Sequence, residues 1–216
     1  MQSRRPYFLY CVLAFAVFAC ITPSVISTAN QAPSGTILFK DDFSATTSGW
    51  DRYKSAEGTM DYDDGGFRIL VNALQVNFWS VPHKDFSDVR IEADTGKIAG
   101  PDENRIGLIC RYTGNQYYFF VITSDGYYGI GIFNNGKAAL LGQSGMQASE
   151  RIKTGIAINH LRADCYGDSL ALFANGFLLA QVHDPKLSHG DVGVLAGTFS
   201  NPGVDILFDN FSVVAP

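Results

Sequence analysis

Apolar and polar residues alternate over several short stretches of this chain, and turn residues separate the stretches. Residues 67–72 and 89–94 place an apolar side chain at every second position, which is the period of a strand with one buried face. Between such stretches the chain carries turn signals such as Asn134-Asn135-Gly136, which favours a tight hairpin. The pattern therefore predicts strands joined by short loops.

The densest β pattern lies between Arg105 and Phe133, where two turn signals separate three β-rich runs. Gly114-Asn115 and Asp125-Gly126 supply residues that adopt the positive φ angles of tight hairpins. The middle run, residues 117–122, is apolar or aromatic at nearly every position. It predicts a strand that is covered on both faces, at the centre of a sandwich.

The rest of the chain adds short strands around this meander, about a dozen in all, and no long amphipathic helix. Only the polar residues 147–154 suggest a helical turn. Composition agrees with an all-β protein, since aromatic residues make up 13% of the chain, glycines number 22 and glutamate occurs only four times.

The first 29 residues have the features of a targeting segment. Arg4 and Arg5 precede an uncharged apolar run at residues 7–19. The net charge is −5 for the whole chain, and loss of the two arginines leaves 14 basic and 21 acidic residues, a net charge of −7. Because there is no basic stripe, nucleic acid is not expected as a partner.

Three kinds of processing fit this segment. Val-Phe-Ala followed by Cys20 resembles a bacterial lipobox, which would make Cys20 the lipidated first residue of a surface lipoprotein. Cleavage after Ala29 and an uncleaved anchor are the alternatives. All three place the remainder outside the cytoplasm, with residues 30–36 as a polar linker and residues 37–216 as one β-sandwich domain.

Two cysteines lie outside the targeting segment, and export permits them to form a disulfide. Cys110 shares one strand face with apolar neighbours, and Cys165 does the same on a later strand. Both thiols should therefore point into the core, where they form either a disulfide or a pair of buried free thiols.

The chain carries several short motifs in order, namely Asp41-Asp42-Phe43, Gly49-Trp50, Cys110-Arg111-Tyr112, Tyr117-Tyr118-Phe119-Phe120 and Asp209-Asn210-Phe211. Together these motifs resemble those of bacterial extracytoplasmic domains of the concanavalin A-like lectin/glucanase superfamily, akin to laminin-G-like jelly rolls. The resemblance covers about Ile37 to Val214. It implies an antiparallel two-sheet jelly roll, a fold that serves both glycan binding and glycan hydrolysis and therefore does not settle the function.

The resemblance also indicates which catalytic residues an enzyme of this superfamily would carry. Glucanases of this superfamily carry Glu-x-Asp on one strand, followed closely by a second glutamate, because glycoside hydrolysis needs two carboxylates across the scissile bond. Glu92-Ala93-Asp94 is the nearest match, but Thr95-Gly96-Lys97 follows and the second glutamate is missing. We interpret Glu92 and Asp94 as the outward polar face of an ordinary strand.

Glycan binding needs exposed rings that stack on sugar faces and polar groups that bond to hydroxyls. The candidate ligand-binding residues are Arg68, Asn77, Trp79, Arg105, Arg111, Tyr127 and Tyr128. Strand parity predicts that Arg105 and Arg111 project away from the face that holds Cys110. The alternatives are that the rings pack in the core and that the arginines pair with Glu92 and Asp94 across the sheet.

Jelly rolls of this kind also suggest a structural calcium ion between the first and last strands, with Asp42, or its neighbour Asp41, and Asp209 as ligands. No other cofactor is expected. The sequence thus predicts a non-catalytic, extracytoplasmic, carbohydrate-binding β-sandwich whose partner is a glycan. A glycoside hydrolase with a diverged site and a structural or protein-interaction module are the alternatives.

Overall fold

The computed structural model describes Gln2 and residues 32–216, and the latter form sixteen strands without a helix. In chain order the strands are β1 (Ile37–Asp41), β2 (Tyr53–Ser55), β3 (Gly58–Asp63), β4 (Gly66–Val71), β5 (Asn77–Ser80), β6 (Val89–Ala99), β7 (Asn104–Tyr112), β8 (Gln116–Ile122), β9 (Tyr127–Asn134), β10 (Lys137–Leu140), β11 (Gln147–Ala148), β12 (Ile158–Tyr166), β13 (Ser169–Ala174), β14 (Phe177–His183), β15 (Asp191–Thr198) and β16 (Val204–Val214). The all-β prediction is confirmed.

The strands form two sheets, and all their pairings are antiparallel. The nine-stranded sheet has the order β14-β13-β12-β6-β16-β4-β3-β2, and β1 also pairs with β16. The seven-stranded sheet has the order β10-β9-β8-β7-β15-β5, and β11 also pairs with β9. Strands that are distant in the sequence lie side by side in the sheets, as β7 and β15 do. This order gives the jelly-roll arrangement that the resemblance implies.

The main core lies between the sheets and is built from alternate residues of both. Leu108 and Phe120 enter it from the seven-stranded sheet, and Ile91 and Phe208 enter it from the nine-stranded sheet. Their side chains are fully buried. Since each strand contributes every second residue, the alternation in the sequence is what fills this core.

A disulfide joins the two sheets through the core. Cys110 on β7 and Cys165 on β12 are bonded, with their Cα atoms 6.9 Å apart. The bond encloses a sequence separation of 55 residues, for which the chain-entropy model gives a stabilisation of about 4 kcal/mol. The predicted disulfide is confirmed, and the alternative of two free thiols is wrong.

Some elements differ from the expectation. The sequence predicted about a dozen strands, and the hairpin of β2 and β3 is among those added. Residues 147–154 contain the short strand β11 and turns instead of a helical turn. Within the expected linker of residues 30–36, the backbones of Gly35 and Thr36 form hydrogen bonds with Ala215 near the other end of the described chain. The linker bounds stay a prediction.

Apart from Gln2, the predicted targeting segment lies outside the described residues, and so do Cys20 and Ala29. Within the part of the chain that the structure describes, no helix is long and apolar enough to cross a membrane.

Candidate functional site

The outer face of the seven-stranded sheet carries a second apolar cluster that is separate from the main core. The central strand β8 is buried on both faces, as predicted, but its outer side is not covered by a further layer of strands from residues 32–216. Instead, its own outward side chains pack with those of neighbouring strands and loops: Trp79, Val81, Ile109, Tyr112, Tyr117, Phe119, Val121, Phe133, Met146 and Leu195. A groove with a volume of about 530 Å³ lies over this cluster, and we call it the outer groove.

Aromatic rings form the floor of the outer groove. The rings of Tyr117 and Phe133 stack with centroids 5.0 Å apart at an interplanar angle of 18°. Trp79 lies beside them, with its ring centroid 5.5 Å from that of Tyr117 and 6.3 Å from that of Phe133. Burial raises the pKa of the Tyr117 hydroxyl well above its usual value. Trp79 and Phe133 are partly exposed, whereas Tyr117 is only 1% exposed. The rings of Trp79 and Phe133 can therefore contact a flat apolar face of a ligand, and Tyr117 supports them by packing against both.

Glycines make room for the side chains of this face. Gly131 on β9 pairs with Phe119, and a Cβ atom on Gly131 would lie 2.1 Å from the Phe119 ring. Gly197 on β15 lies between its partners Asn77 on β5 and Arg105 on β7. A Cβ atom there would lie 2.1 Å from the Asn77 amide oxygen, so glycine allows the two polar side chains to meet across the strand.

Arg105 and Asn77 supply the polar groups at one side of the outer groove. The Arg105 guanidinium donates a hydrogen bond to the Asn77 amide oxygen, and it lies 4.0 Å from the centroid of the Phe199 ring. Burial lowers the pKa of this guanidinium, and no described residue forms an ion pair with it. Of the described residues that line the outer groove, Arg105 alone carries a formal charge.

The structure brings three of the seven candidate binding residues together, since Asn77, Trp79 and Arg105 all line the outer groove. Trp79 is half-buried. It is therefore intermediate between the exposed ring that binding requires and the core residue that was the alternative. The alternative that Arg105 pairs with Glu92 or Asp94 is wrong, because these residues belong to different sheets.

The prediction for Arg111 is wrong. Strand β7 has an irregular register against β15 at this point, and Arg111 adopts a φ of 55°, so Tyr112 takes the outward position that parity assigned to Arg111. The Arg111 side chain is only 1% exposed. It donates hydrogen bonds to the carbonyl oxygens of Ser87 and Leu187 and lies 3.2 Å from an oxygen of Asp88, which is a structural role.

The other three candidates lie elsewhere. Arg68 is on the outer face of the nine-stranded sheet, where it forms ion pairs of 2.6 Å with Asp205 and 2.8 Å with Asp63. Tyr128 packs against the main core. Tyr127 shares the outer face with the groove and is 42% exposed, but it lies six residues from Phe133 on the same strand, about 20 Å away at the usual rise per residue.

Several residues of the outer groove were missed in the sequence, including Tyr117, Phe133 and Phe199. A signal for them exists. Strand β8 is apolar at both parities, which requires a cover on each face. The glycines at alternate positions of β9 and β15 mark where neighbouring side chains lie across the sheet.

The carboxylates considered for catalysis lie on the opposite side of the molecule. Glu92 and Asp94 project from β6 on the outer face of the nine-stranded sheet, beside His160. The His160 Nδ1 atom is 2.9 Å from an Asp94 oxygen, and its Nε2 atom is 3.9 Å from a Glu92 oxygen. Asn210 donates a further hydrogen bond of 3.0 Å to Asp94. No Asp or Glu is among the described residues that line the outer groove.

The residues suggested for calcium already have protein partners. Asp41 accepts hydrogen bonds from the Trp50 indole and the Phe43 backbone. Asp42 accepts bonds from Ser44 that lower the pKa of its carboxyl group, and Asp209 accepts one from the backbone of the next residue. Residues 32–216 hold no group of three or more His, Cys, Asp or Glu side chains placed to bind a metal ion. Calcium binding stays a prediction.

Comparison with known proteins locates the chain by its fold. No family model and no curated protein sequence matches it. Solved structures do match. A carbohydrate-binding module, CBM66 from Bacillus subtilis, is 19% identical with a TM-score of 0.54 and covers 77% of this chain and 95% of its own.

Two further matches span most of both chains. A Bacillus subtilis protein of unknown function with a galectin-like fold is 12% identical, with a TM-score of 0.63 and coverage of 84% and 97%. A Bacteroides ovatus GH16 protein in complex with a G4G4G3G product is 11% identical, with a TM-score of 0.58 and coverage of 82% and 100%. The chain therefore shares the jelly-roll β-sandwich fold of these structures, as its motifs predicted.

Proposed function

We propose that this protein is a non-catalytic, extracytoplasmic carbohydrate-binding module and that the outer groove is its binding site. One observation carries the proposal: the half-exposed rings of the groove lie next to the polar pair of Arg105 and Asn77. Protein sites for sugars combine these two features, because rings pack on the apolar face of a pyranose while fixed polar groups bond to its hydroxyls. The carbohydrate-binding module among the structural neighbours supports the same function.

The absence of catalysis in this proposal rests on the placement of the carboxylates. Hydrolysis of a glycosidic bond requires a proton donor and a second carboxylate on opposite sides of that bond. The described lining of the outer groove offers neither. Glu92 and Asp94 lie on the other sheet. There Asp94 contacts His160 and accepts a hydrogen bond from Asn210, and Glu92 lies 3.9 Å from His160.

The ring contacts also set the expected strength of binding. Each ring adds about 1 kcal/mol when it packs on a sugar face. With two or three such contacts, and after the entropy cost of association, affinities near millimolar are expected. A module of this kind gains avidity when many copies bind one polysaccharide.

The disulfide supports an extracytoplasmic location, because such bonds persist mainly in oxidising compartments. We propose further that the protein is anchored through a lipid on Cys20, with residues 30–36 in the tether. The mass of the mature N-terminal peptide distinguishes this from cleavage after Ala29 and from an uncleaved anchor.

A glycan-array screen of the protein, with and without calcium, tests the function. We expect binding to a restricted set of glycans and at least a tenfold loss of affinity in Trp79→Ala, because the substitution removes a ring from the groove. Tyr127→Ala is the matched control, since it removes an exposed ring on the same sheet face outside the groove. Absence of binding to any glycan, or equal losses in the two variants, would contradict the proposed site.

A further inference from the structure

Arg105 is a half-buried cation whose charge has no partner among the described residues. It donates one hydrogen bond to the neutral Asn77 amide, lies over the Phe199 ring and interacts electrostatically with the Tyr117 hydroxyl. A guanidinium has five N–H donors and keeps its charge at any physiological pH. Four donors are therefore left for other groups, and the partly desolvated charge carries an energetic cost that no described carboxylate offsets.

The contrast with the other half-buried arginines of the domain is informative. Arg68 is paired with Asp205 and Asp63, and Arg162 is paired with Asp164. The pairing raises the pKa of both guanidinium groups, whereas burial lowers the pKa of Arg105. The fold thus places carboxylates beside the arginines of the nine-stranded sheet and none beside the arginine of the outer groove.

Two neighbours hold the Arg105 side chain in position. The Phe199 ring lies against the plane of the guanidinium, and the Asn77 oxygen accepts from one nitrogen. Gly197 keeps the space between the two strands clear. A guanidinium held in this way is preorganised for a planar or tetrahedral anion, which it can bind through two parallel hydrogen bonds.

We propose that the outer groove selects acidic glycans, with a carboxylate or sulfate of the sugar bound to Arg105 and a neighbouring pyranose face on Trp79 and Phe133. This rests on the proposed function and adds the class of glycan to it. The anion supplies the missing counter-charge, and the rings supply apolar contact for the sugar that carries it. Asn77 keeps its amide N–H groups for a hydroxyl of the same sugar.

The test uses pairs of oligosaccharides that differ only in charge. One pair is an oligogalacturonate and the same oligosaccharide with its carboxylates methyl-esterified, and the other is a sulfated oligosaccharide and its desulfated form. Dissociation constants are measured by calorimetry with the full chain. We expect the acidic member of at least one pair to bind about tenfold or more tightly, and the responding pair distinguishes a uronate from a sulfate ester.

Arg105→Gln should abolish the difference between acidic and neutral members. Arg151→Gln is the matched control, since Arg151 also lies 4.0 Å from a ring centroid, that of Phe177, and its loss changes the net charge equally. The control should keep the preference for acidic glycans. Arg105→Lys keeps the charge but loses the two-pronged geometry, so it should retain only part of the preference.

The possible failures are distinguishable. If neutral and acidic members bind equally and Trp79→Ala abolishes both, the choice of acidic glycans is wrong and the carbohydrate-binding function stands. The same conclusion follows if Arg105→Gln retains the preference of the unaltered protein. If none of the four oligosaccharides and no glycan of the array binds, both proposals are wrong.

Discussion

The two outer faces of this sandwich differ in how their charged side chains are compensated. The nine-stranded sheet presents polar and charged residues that contact each other: Arg162 lies 2.7 Å from Asp164, and His160 lies 2.9 Å from Asp94. The seven-stranded sheet presents rings around a single unpaired arginine. Because an antiparallel sheet can face water directly on one side, the first face needs no ligand.

The difference teaches where to look for function in a fold that serves many activities. Paired surface charges contribute little energy and require no partner molecule. A contiguous apolar surface around an unpaired cation is unfavourable in water, and such surfaces mark binding sites. Substitutions on the aromatic face should therefore reduce ligand binding, and substitutions in the core between the sheets should reduce stability. Substitutions on the charged face should change neither.

The largest effect on stability is expected from substitution of the tryptophans. Trp50 lies in the core and Trp79 lies in the outer groove, so the same side chain can be removed from both regions. Trp50 is 4% exposed, packs on Phe43 and Phe211 and donates a hydrogen bond to Asp41. Trp50→Ala should lower the free energy of unfolding by about 4 kcal/mol, because it leaves a cavity and removes a partner of a buried carboxylate. Trp79→Ala should cost about 2 kcal/mol or less, since its ring is already half-exposed.

Urea unfolding of the two variants measures the difference. The midpoint should shift far more for Trp50→Ala, while only Trp79→Ala should lose glycan affinity. An equal loss of stability would show that Trp79 belongs to the core, and the groove would then be a packing defect rather than a site.

An intermediate effect is expected at alkaline pH from two adjacent tyrosines, one on each face of β8. Burial raises the pKa of Tyr117 in the groove floor. Burial and a hydrogen bond to Asp184 raise the pKa of Tyr118 in the core to about 12. In the unfolded chain both hydroxyls ionise near pH 10. Stability should therefore be unaffected below that pH and fall as the pH rises further.

The expected slope is about 1.4 kcal/mol per pH unit for each tyrosine that remains protonated only in the folded state. Ultraviolet absorbance of the phenolate, followed together with urea unfolding, measures it. Tyr118→Phe should reduce the slope by one tyrosine. If all tyrosines ionise near pH 10 while the protein stays folded, Tyr117 and Tyr118 are not shielded as described.

The sequence predicted the sandwich because alternation and turn residues act locally. It predicted the disulfide because both cysteines lie on apolar strand faces. It placed Arg111 wrongly because the irregularity in β7 shifts the parity by one residue, and such a bulge depends on the pairing with β15. Gly197 shows the same limit, since its role between Asn77 and Arg105 arises only when β5, β15 and β7 lie side by side.

The smallest effect is expected on the charged face, and it tests whether this face is inert. Glu92→Gln removes a partly exposed carboxylate that lies 3.9 Å from the His160 ring and opposite Arg162 on the neighbouring strand. Exposed pairs of this kind contribute about 0–1 kcal/mol, so the variant should unfold within about 0.5 kcal/mol of the unaltered protein. It should also bind glycans equally well, because the substitution lies on the sheet opposite the groove.

A test for hydrolysis completes this prediction. Reducing ends, measured after long incubation with each bound polysaccharide, should not accumulate with either the unaltered protein or Glu92→Gln. Steady release by the unaltered protein that Glu92→Gln abolishes would move the function to the charged face and make this protein a glycoside hydrolase.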